Sequence, residues 1–354
     1  MPTATNRFRA TLFLVALAIL GSGGNDARAT SLKCGDVITQ STALAQDLVC
    51  GPNDTFALAI AGSRVELDLA GFAIRLPHPA NTIGVYTYYG VQGVRVHNGA
   101  IVSTAMGSSA HYGVTAFDSP GLVVERLRIS GFRVAVQTGI SDRARVVKSE
   151  FNTATGVLIG HFFAAGYCCV RNVEVAGNTL RGVSGGTLVA LSAGTLDLRV
   201  IGNSGIDLAD GVAQFNGWRS THRSVIADNH LAAAQRSPGG TGVVAVGDDI
   251  AIVGNVLVGF ETGVGIAGQR AQVLGNQVAG DLGFREGSGV RFLCKHPSLR
   301  PGTVMSDSVV RENTLESNTI GIYFQACANQ NNGQLNMHWN NARDVVDEGY
   351  GNLW

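Results

Sequence analysis

The feature that most constrains the fold of this chain is a repeat, in which a glycine is followed by a short run of alternating apolar residues. It recurs about ten times, at intervals of about 20 to 32 residues. The copies begin at Gly84 (GVYTYY), Gly113 (GVTAFD), Arg133 (RVAVQT), Gly156 (GVLIGH), Thr187 (TLVALS), Gly211 (GVAQFN), Gly242 (GVVAVG), Gly263 (GVGIAG), Gly289 (GVRFLC) and Gly321 (GIYFQA). Repetition of one short unit is typical of a stacked array of similar elements.

A second motif, which ends in asparagine, precedes most copies of the first. Its members end at Asn98, Asn178, Asn203, Asn229, Asn255, Asn276 and Asn313. Both motifs alternate with a period of two, which indicates β-strands, and no long helical stripe follows the first 29 residues. Asparagine tolerates left-handed backbone, and its amide can bond backbone groups at a tight turn. We therefore expect a structural column of asparagines that bond from one coil to the next.

A single coil of two or three short strands cannot bury its own apolar side, whereas stacked coils bury a continuous column. Repeats of this length with short strands and no helix predict an all-β fold, a parallel β-helix of about ten or eleven coils. A propeller would need longer blades, and a leucine-rich repeat would show regularly spaced leucines. We expect the β-helix to span residues 61–327, with capping segments at 30–60 and 328–354, because open coil edges invite aggregation.

The first residues have the pattern of an export signal. Two arginines precede an apolar run at 10–20, and Ala27–Ala29 has the form of a cleavage site. The apolar run is short for a membrane span, and no later segment is long enough. We therefore expect residues 1–29 to be a signal peptide cleaved after Ala29, and the mature chain to be secreted or periplasmic without a membrane span.

Cysteine usage agrees with such a compartment, because disulfides persist outside the reducing cytosol. Cys34 and Cys50 flank one short segment and are expected to pair. Cys294 and Cys327 lie near the same position of consecutive repeats. Stacked strands are about 4.8 Å apart, so these two cysteines are within reach of a disulfide. For the adjacent pair Cys168–Cys169, a vicinal disulfide and two thiols both stay open.

Charge and motif content exclude several classes of function. The net charge is zero and only 15% of the residues are charged, with no basic stripe that would bind nucleic acid. No phosphate-binding loop, zinc spacing or serine-hydrolase elbow occurs. The run GVGIAG at Gly263 is a copy of the repeat rather than a dinucleotide fingerprint, since no helix follows it.

On these residues the chain resembles the right-handed parallel β-helix repeat proteins, the pectate-lyase-like superfamily in its carbohydrate-binding and sugar-hydrolase branch. CGDVITQSTALAQDLVC at Cys34–Cys50 and VELDLAGFAI at Val65–Ile74 are similar to the entry coil of exported members. DEGYGNLW at Asp347–Trp354 is similar to the ending of members linked to periplasmic processing. The resemblance implies a right-handed coil but no single activity, because members include lyases, hydrolases, epimerases and proteins with no known reaction. The Y-G-[FI]-D-P-H signature of the alginate epimerases is absent, and no catalytic residue is carried over.

The strands that follow the glycines predict an unusually apolar outer face. If the residue after each glycine points inward, the outward positions include Tyr86, Tyr88, Leu158, Ala213, Phe215, Val244 and Val246. Three alternatives explain such a face: loops folded over it, a surface for self-association or a protein partner, or a sugar-binding groove. In the groove, Tyr86 and Tyr88 would bind substrate as stacking platforms.

The most polar loops follow the copies at Gly211 and Gly242. Stacking brings the loop residues Trp218, Arg219, His222 and Arg223 near Asp248, Asp249 and Arg270 on the next two coils. An aromatic platform, cations and paired carboxylates suit an acidic polysaccharide. We expect catalytic roles for Asp248, Asp249, Arg219 and His222, and substrate binding by Trp218, Arg223 and Arg270. The alternative is that these charges are solvated or paired with each other.

Two reactions fit this cluster. In the first, cations neutralise a uronate carboxylate and a base removes the proton beside it, with Ca²⁺ as the one cofactor that paired carboxylates suggest. In the second, one carboxylate protonates the glycosidic oxygen while another assists water. The sequence thus predicts an exported protein that binds polysaccharide, with or without cleaving it as a lyase or hydrolase. Two alternatives are a non-catalytic adhesion or assembly scaffold that uses the apolar face, and a periplasmic accessory protein for metal-site maturation that uses His338.

Overall fold

The alternating strands stack as a parallel β-helix with three faces, named sheets A, B and C in their order along each coil. The computed structural model describes residues 28–78, 82–104, 111–160, 170–192, 194–214, 221–234, 239–294 and 304–354. Every pairing between its strands is parallel, because each strand returns to the same face one coil later. No helix occurs among these described residues, in agreement with the period-two pattern.

Sheet A carries all predicted copies of the glycine-led repeat. Its own strands are Asp36–Ile38, Phe56–Ile60, Ile83–Thr87, Tyr112–Ala116, Val134–Gly139, Thr241–Val246, Thr262–Ala267, Ser288–Phe292, Ile320–Phe324 and Arg343–Asp347. The first two strands and the last extend the sheet into the segments 30–60 and 328–354, which were predicted as caps.

Sheets B and C complete each coil. Sheet B has Arg28–Thr30, Thr42–Leu44, Glu66–Asp68, Arg145–Val147, Glu174–Ala176, Arg199–Ile201, Val225–Ala227, Ala251–Val253, Gln272–Leu274 and Val309–Arg311. Sheet C has Leu48–Val49, Ala73–Leu76, His230–Ala233, Val256–Val258, Gln277–Ala279, Thr314–Glu316 and Met337–Trp339.

Some strands turn a corner, and others pair outside the three sheets. Arg95–Ser103 and Val123–Ser130 run from sheet B into sheet C, and Glu150–Ile159, Thr179–Leu191 and Ser204–Gln214 run from sheet C into sheet A. Val170–Arg171 pairs with Thr195–Leu196, and Met305–Ser306 pairs with Ala328–Asn329. These short pairs lie between sheets A and B, where the connections are longest.

The residue after each glycine points into the core, as the alternation predicts. Val114, Val157, Val212, Val264 and Val290 are all 0% exposed. They belong to one row in which each member faces its partner on the next coil. Full burial of such a side chain contributes about 1.5 kcal/mol or more, so the stacked row stabilises the coils jointly.

The predicted asparagine column is a hydrogen-bonded ladder. From Asn178 onward the side-chain amide of each member donates to the Oδ1 atom of the next, at 2.9–3.0 Å. The ladder runs through Asn178, Asn203, Asn229, Asn255, Asn276, Asn313 and Asn336. Asn98 lies outside it and donates to Asp68 instead. One coil before Asn178, the hydroxyl of Ser149 accepts the backbone N–H of Leu127 and replaces an amide.

Disulfides join the two predicted cysteine pairs. Cys34 is bonded to Cys50 in the first described coil, and Cys294 is bonded to Cys327 across consecutive coils near the end of sheet A. The adjacent Cys168–Cys169 lies outside the described residues. Two disulfides agree with an oxidising compartment. In the part of the chain that the structure describes, no helix is long and apolar enough to cross a membrane.

In the middle of sheet A the apolar outward positions are covered, which agrees with the first of the three alternatives for this face and not with an exposed surface. The outward residues Leu158, Ala213, Val244 and Val246 are only 0–8% exposed. Phe215 lies outside the described residues. Alternation decides which way a side chain points but not whether the rest of the chain covers it. These four side chains are therefore not part of an exposed apolar surface.

Candidate functional site

The predicted loop cluster sits at the turn between sheets A and B. One residue per coil has left-handed backbone there, with φ between 49° and 59° from Asp197 to Asp307. Along the coils these residues are Asp197, Arg223, Asp249, Arg270 and Asp307, so the sign of the charge alternates. Because coils are about 4.8 Å apart, neighbours in this column reach each other.

Two ion pairs link members of this column. Arg223 donates to both carboxylate oxygens of Asp197 at 3.1 and 2.9 Å. Arg270 donates to both oxygens of Asp249 at 2.7 and 2.9 Å. The hydrogen bond from Arg270 lowers the pKa of Asp249. A carboxylate with a lowered pKa is a weak proton acceptor, so this environment favours a charge partner over a general base.

His222 and Asp248 lie one position earlier in the same turns and are less tightly paired. The Nδ1 atom of His222 accepts the backbone N–H of Asp248 at 3.2 Å, and one carboxylate oxygen of Asp248 lies 3.8 Å from it. The other oxygen accepts the backbone N–H of Gln269 at 2.9 Å. Since Nδ1 is an acceptor, a neutral His222 carries its proton on Nε2. Both side chains are 36% exposed and accessible to a ligand.

The structure thus brings together five of the seven residues predicted for this cluster. His222, Arg223, Asp248, Asp249 and Arg270 lie on three consecutive coils. Trp218 and Arg219 fall outside the described residues. The repeat register explains part of this arrangement, because Asp249 and Arg270 both lie seven residues after their glycines, Gly242 and Gly263, and equal offsets stack in columns. His222 and Arg223 follow a longer connection and lie 11 and 12 residues after Gly211.

Three of the four carboxylate oxygens of Asp248 and Asp249, the pair that suggested Ca²⁺, already accept hydrogen bonds. Both oxygens of Asp249 are taken by Arg270, and one oxygen of Asp248 is taken by a backbone N–H. The one converging group of His, Cys, Asp or Glu ligands among the described residues is Cys34, Cys50 and Asp54, and its cysteines form a disulfide. Ca²⁺ binding at this cluster therefore stays a prediction from the sequence.

We expect Asp249→Asn to destabilise the fold in a pH-dependent way. The lowered pKa means that the ion pair with Arg270 stabilises the native state above about pH 4, and that this stabilisation is lost as the pH falls. The melting temperature of the variant should therefore lie below that of the wild type at pH 7 and approach it below about pH 3. An equal difference at both pH values would contradict this explanation.

The predicted tyrosine platforms lie far from the turn cluster. The rings of Tyr86 and Tyr88 are 5.4 Å apart in an edge-on arrangement, and Tyr88 is 42% exposed. Their strand, Ile83–Thr87, is six strand positions away from Thr241–Val246, which precedes Asp248. At about 4.8 Å per strand the separation is roughly 29 Å. Both places belong to one ligand only if that ligand is a polymer.

A polar group near the other end of sheet A was not recognised as a site from the sequence. Arg291 and Tyr323 are register partners on consecutive strands, and the guanidinium carbon lies 5.2 Å from the tyrosine ring centroid. The Arg291 side chain is 18% exposed and its Nη2 atom lies 3.4 Å from Glu286. Its Nε atom is buried without a hydrogen-bond partner. A buried, unpaired donor of this kind is costly unless a ligand or water accepts its hydrogen.

A second carboxylate completes this group. Burial raises the pKa of Tyr323, and a hydrogen bond to the nearby Glu348 carboxylate raises it further. The phenol is therefore protonated at neutral pH. Arg291, Gln325 and Glu348 line a pocket of about 570 Å³. The disulfide borders it, because the backbone N–H of Cys294 donates to Gln325 Oε1 at 2.9 Å. Tyr323 and Glu286 do not line this pocket but contact Arg291, which does. We call the pocket, together with these two neighbours of Arg291, the sheet A pocket.

A signal for this pocket was present in the repeat. GVRFLC and GIYFQA place Arg291 and Tyr323 at the same offset, where the other repeats have mostly small or apolar residues. Glu286 and Glu348 could not be found in this way, because they lie outside the alternating strands and no register applies to them. His338, which only the metal-maturation alternative would use, is elsewhere, on sheet C: burial lowers its pKa, and its Nδ1 atom lies 3.8 Å from Asp344.

Comparison with known proteins identifies the fold. No protein-family model and no curated protein matches the chain. DFA-IIIase from Arthrobacter chlorophenolicus A6 without its lid is 13% identical with a TM-score of 0.52, over 77% of this chain and 69% of that chain. The catalytic domain of a GH87 alpha-1,3-glucanase in complex with tetrasaccharides is 14% identical with a TM-score of 0.53, over 91% of this chain and 62% of that chain. The shared fold is the right-handed parallel β-helix.

Proposed function

We propose that this is an exported protein that binds polysaccharide along the outer face of sheet A and cleaves a glycosidic linkage in the sheet A pocket. The observation that carries the proposal is Arg291, whose side chain lines a pocket and whose buried Nε atom has no hydrogen-bond partner among the described residues. A guanidinium placed in this way suits an anionic or polyhydroxylated ligand. Tyr323 and two carboxylates beside it are suitable for proton transfer.

The turn cluster, which consists of His222, Arg223, Asp248, Asp249 and Arg270, fits the same ligand. Asp248 follows the strand Thr241–Val246, which is two strand positions before Ser288–Phe292, the strand of Arg291. The two places are thus separated by roughly 10 Å along the axis. A sugar chain that runs along the axis contacts both. His222 and Asp248, with Trp218 and Arg219 just before them in sequence, remain proposed catalytic or binding residues on this path.

Two reaction types are available to the pocket. In β-elimination, Arg291 neutralises a uronate carboxylate, and a carboxylate base takes the proton from the adjacent carbon. The bond to the leaving oxygen breaks, a carbon–carbon double bond forms, and the Tyr323 phenol gives its proton to that oxygen. In hydrolysis, a protonated carboxyl group gives its proton to the glycosidic oxygen while the other carboxylate takes a proton from the attacking water. The structural neighbours, a DFA-IIIase and an alpha-1,3-glucanase, support a carbohydrate ligand. They do not decide between the two reactions.

The test is an activity screen of the purified chain on uronate-containing and neutral polysaccharides, with Ca²⁺ and with a chelator. We expect new reducing ends from at least one polymer. Absorbance of an unsaturated uronate would assign β-elimination, and reducing ends without that absorbance would assign hydrolysis. The chelator arm tests the Ca²⁺ requirement that the sequence suggests. A folded chain that neither binds nor cleaves any of these polymers would overturn the proposal.

A further inference from the structure

A second groove lies on sheet C, on a different face from the sheet A pocket. It has a volume of about 560 Å³ and crosses strands from Ala73–Leu76 to Thr179–Leu191. Its floor is partly apolar, with Ala100, Val102 and Ile129. Strands of sheet C run across the groove, so its long direction follows the axis of the β-helix.

Arginines concentrate in this groove. Arg75, Arg128 and Arg181 all line it. Arg75 is already engaged, because it donates to Asp47 at 3.0 Å. Arg128 and Arg181 are exposed and form no ion pair with any described residue. The groove therefore offers two arginine side chains whose donors face solvent.

The spacing of these arginines follows from the register. Arg128 is opposite Glu150, and Glu150 is opposite Thr179, two residues before Arg181. Arg128 and Arg181 are thus two strand positions apart, or roughly 10 Å along the axis. The strand between them carries Asn152 and the carboxylate of Glu150, and Ser130 and Thr179 flank the two arginines on their own strands. Two arginines at this spacing match the anionic groups of alternate sugars in a polysaccharide.

The rest of sheet C shows that this pattern is local. In the C-terminal half of the sheet the exposed positions are apolar, neutral or acidic, as at Val258, Gln277 and Glu316. Glu150 is the unpaired carboxylate of the groove, and it lies beside Arg128 without an ion pair within 4.0 Å. Its negative charge opposes the binding of an anion. Replacing Glu150 by a neutral residue therefore tests whether the ligand of the groove is anionic.

We propose that the sheet C groove binds an anionic oligosaccharide, with Arg128 and Arg181 on the carboxylate or sulfate groups of alternate sugars. The groove would hold the polymer at a distance from the site of cleavage. This inference rests on the proposed polysaccharide function for its biological role, but the binding event does not require cleavage. Arginine recognises both anions through parallel N–H donors, so the two sources share one chemistry.

The experiment measures binding of a fluorescent oligogalacturonate to full-length protein carrying Arg291→Ala, so that cleavage does not interfere. We expect Arg128→Ala and Arg181→Ala each to weaken binding about fivefold, and Arg199→Ala, an exposed arginine on sheet B, to leave it unchanged. Glu150→Gln should tighten binding and make it more sensitive to salt, because it removes a like charge beside the anion and leaves the groove more positive.

Other probes distinguish a carboxylate ligand from a sulfate ligand. They also distinguish failure of the groove proposal from failure of the cleavage proposal. A sulfated oligosaccharide that competes for the groove would extend the site to sulfate, and failure to compete would restrict it to carboxylates. A neutral gluco-oligosaccharide should not bind. If Arg128→Ala and Arg181→Ala bind the probe like the parent, or if polyglutamate competes as well as the sugar, the groove proposal is wrong. Either result leaves the cleavage test on the sheet A pocket unaffected.

Discussion

Replacing Asn255 by alanine is expected to lower the free energy of unfolding by about 3 kcal/mol or more. The Asn255 side chain is 0% exposed and lies in the middle of the ladder. Its amide donates to the carbonyl oxygens of Ile226 and Val253 and to Asn276 Oδ1, at 2.9–3.2 Å. Its own Oδ1 accepts the backbone and side-chain N–H groups of Asn229. Alanine would leave several of these buried groups unpaired, each at a cost of about 1–3 kcal/mol.

Urea unfolding followed by circular dichroism measures this effect, with Asn152→Ala as the matched control. Asn152 is an exposed asparagine on sheet C, so its replacement should change stability by less than about 0.5 kcal/mol. A similar small loss for Asn255→Ala would mean that water replaces the ladder without cost. Because each rung contacts the next coil, the loss should also broaden the unfolding transition, as coils uncouple from their neighbours.

The ladder and the core were predictable because both obey the register of the repeat. The residues that follow the glycines, such as Val212 and Val264, point inward since strand alternation and stacking leave no other arrangement for an apolar column. Asn98 deviates for a local reason: it donates to Asp68, whose carboxylate faces it from the neighbouring coil. A repeat shows where such a rung belongs, but a charged neighbour can redirect an amide.

The candidate sites were predictable only where they follow the same register. Asp249 and Arg270 stack as their equal offsets from Gly242 and Gly263 predict, whereas His222 reaches Asp248 at the end of a longer connection after Gly211. The ion pair of Asp249 with Arg270 could not be predicted, because the sequence does not say which charges pair with each other and which face a ligand. The sheet A pocket needs Glu286 and Glu348 from irregular segments, whose positions depend on tertiary packing. Burial of Val244 and Val246 likewise does not follow from the repeat, because alternation sets only the direction in which a side chain points.

Arg291→Ala is expected to lower kcat/KM for polysaccharide cleavage at least about 100-fold, as removal of a buried electrostatic stabiliser does in other enzymes. The guanidinium lies over Tyr323 and beside Glu286, so its charge acts on both the proton donor and the substrate. Arg291→Lys keeps the charge without the planar fork and should recover part of the rate. Arg199→Ala on sheet B removes an exposed arginine from another face and should leave the rate unchanged.

The pH profile separates this role from a structural one. Arg291 lowers the pKa of Tyr323, whereas burial and Glu348 raise it above the ordinary value of 10.0. In the wild type the phenol is thus protonated at neutral pH, and the rate should fall only at alkaline pH, as the phenol loses its proton. Without the cation the pKa rises further, so residual activity of Arg291→Ala should persist to higher pH. Tyr323→Phe should remove the alkaline limb. A folded Arg291→Ala variant with wild-type kcat/KM would show that the sheet A pocket is not where cleavage occurs.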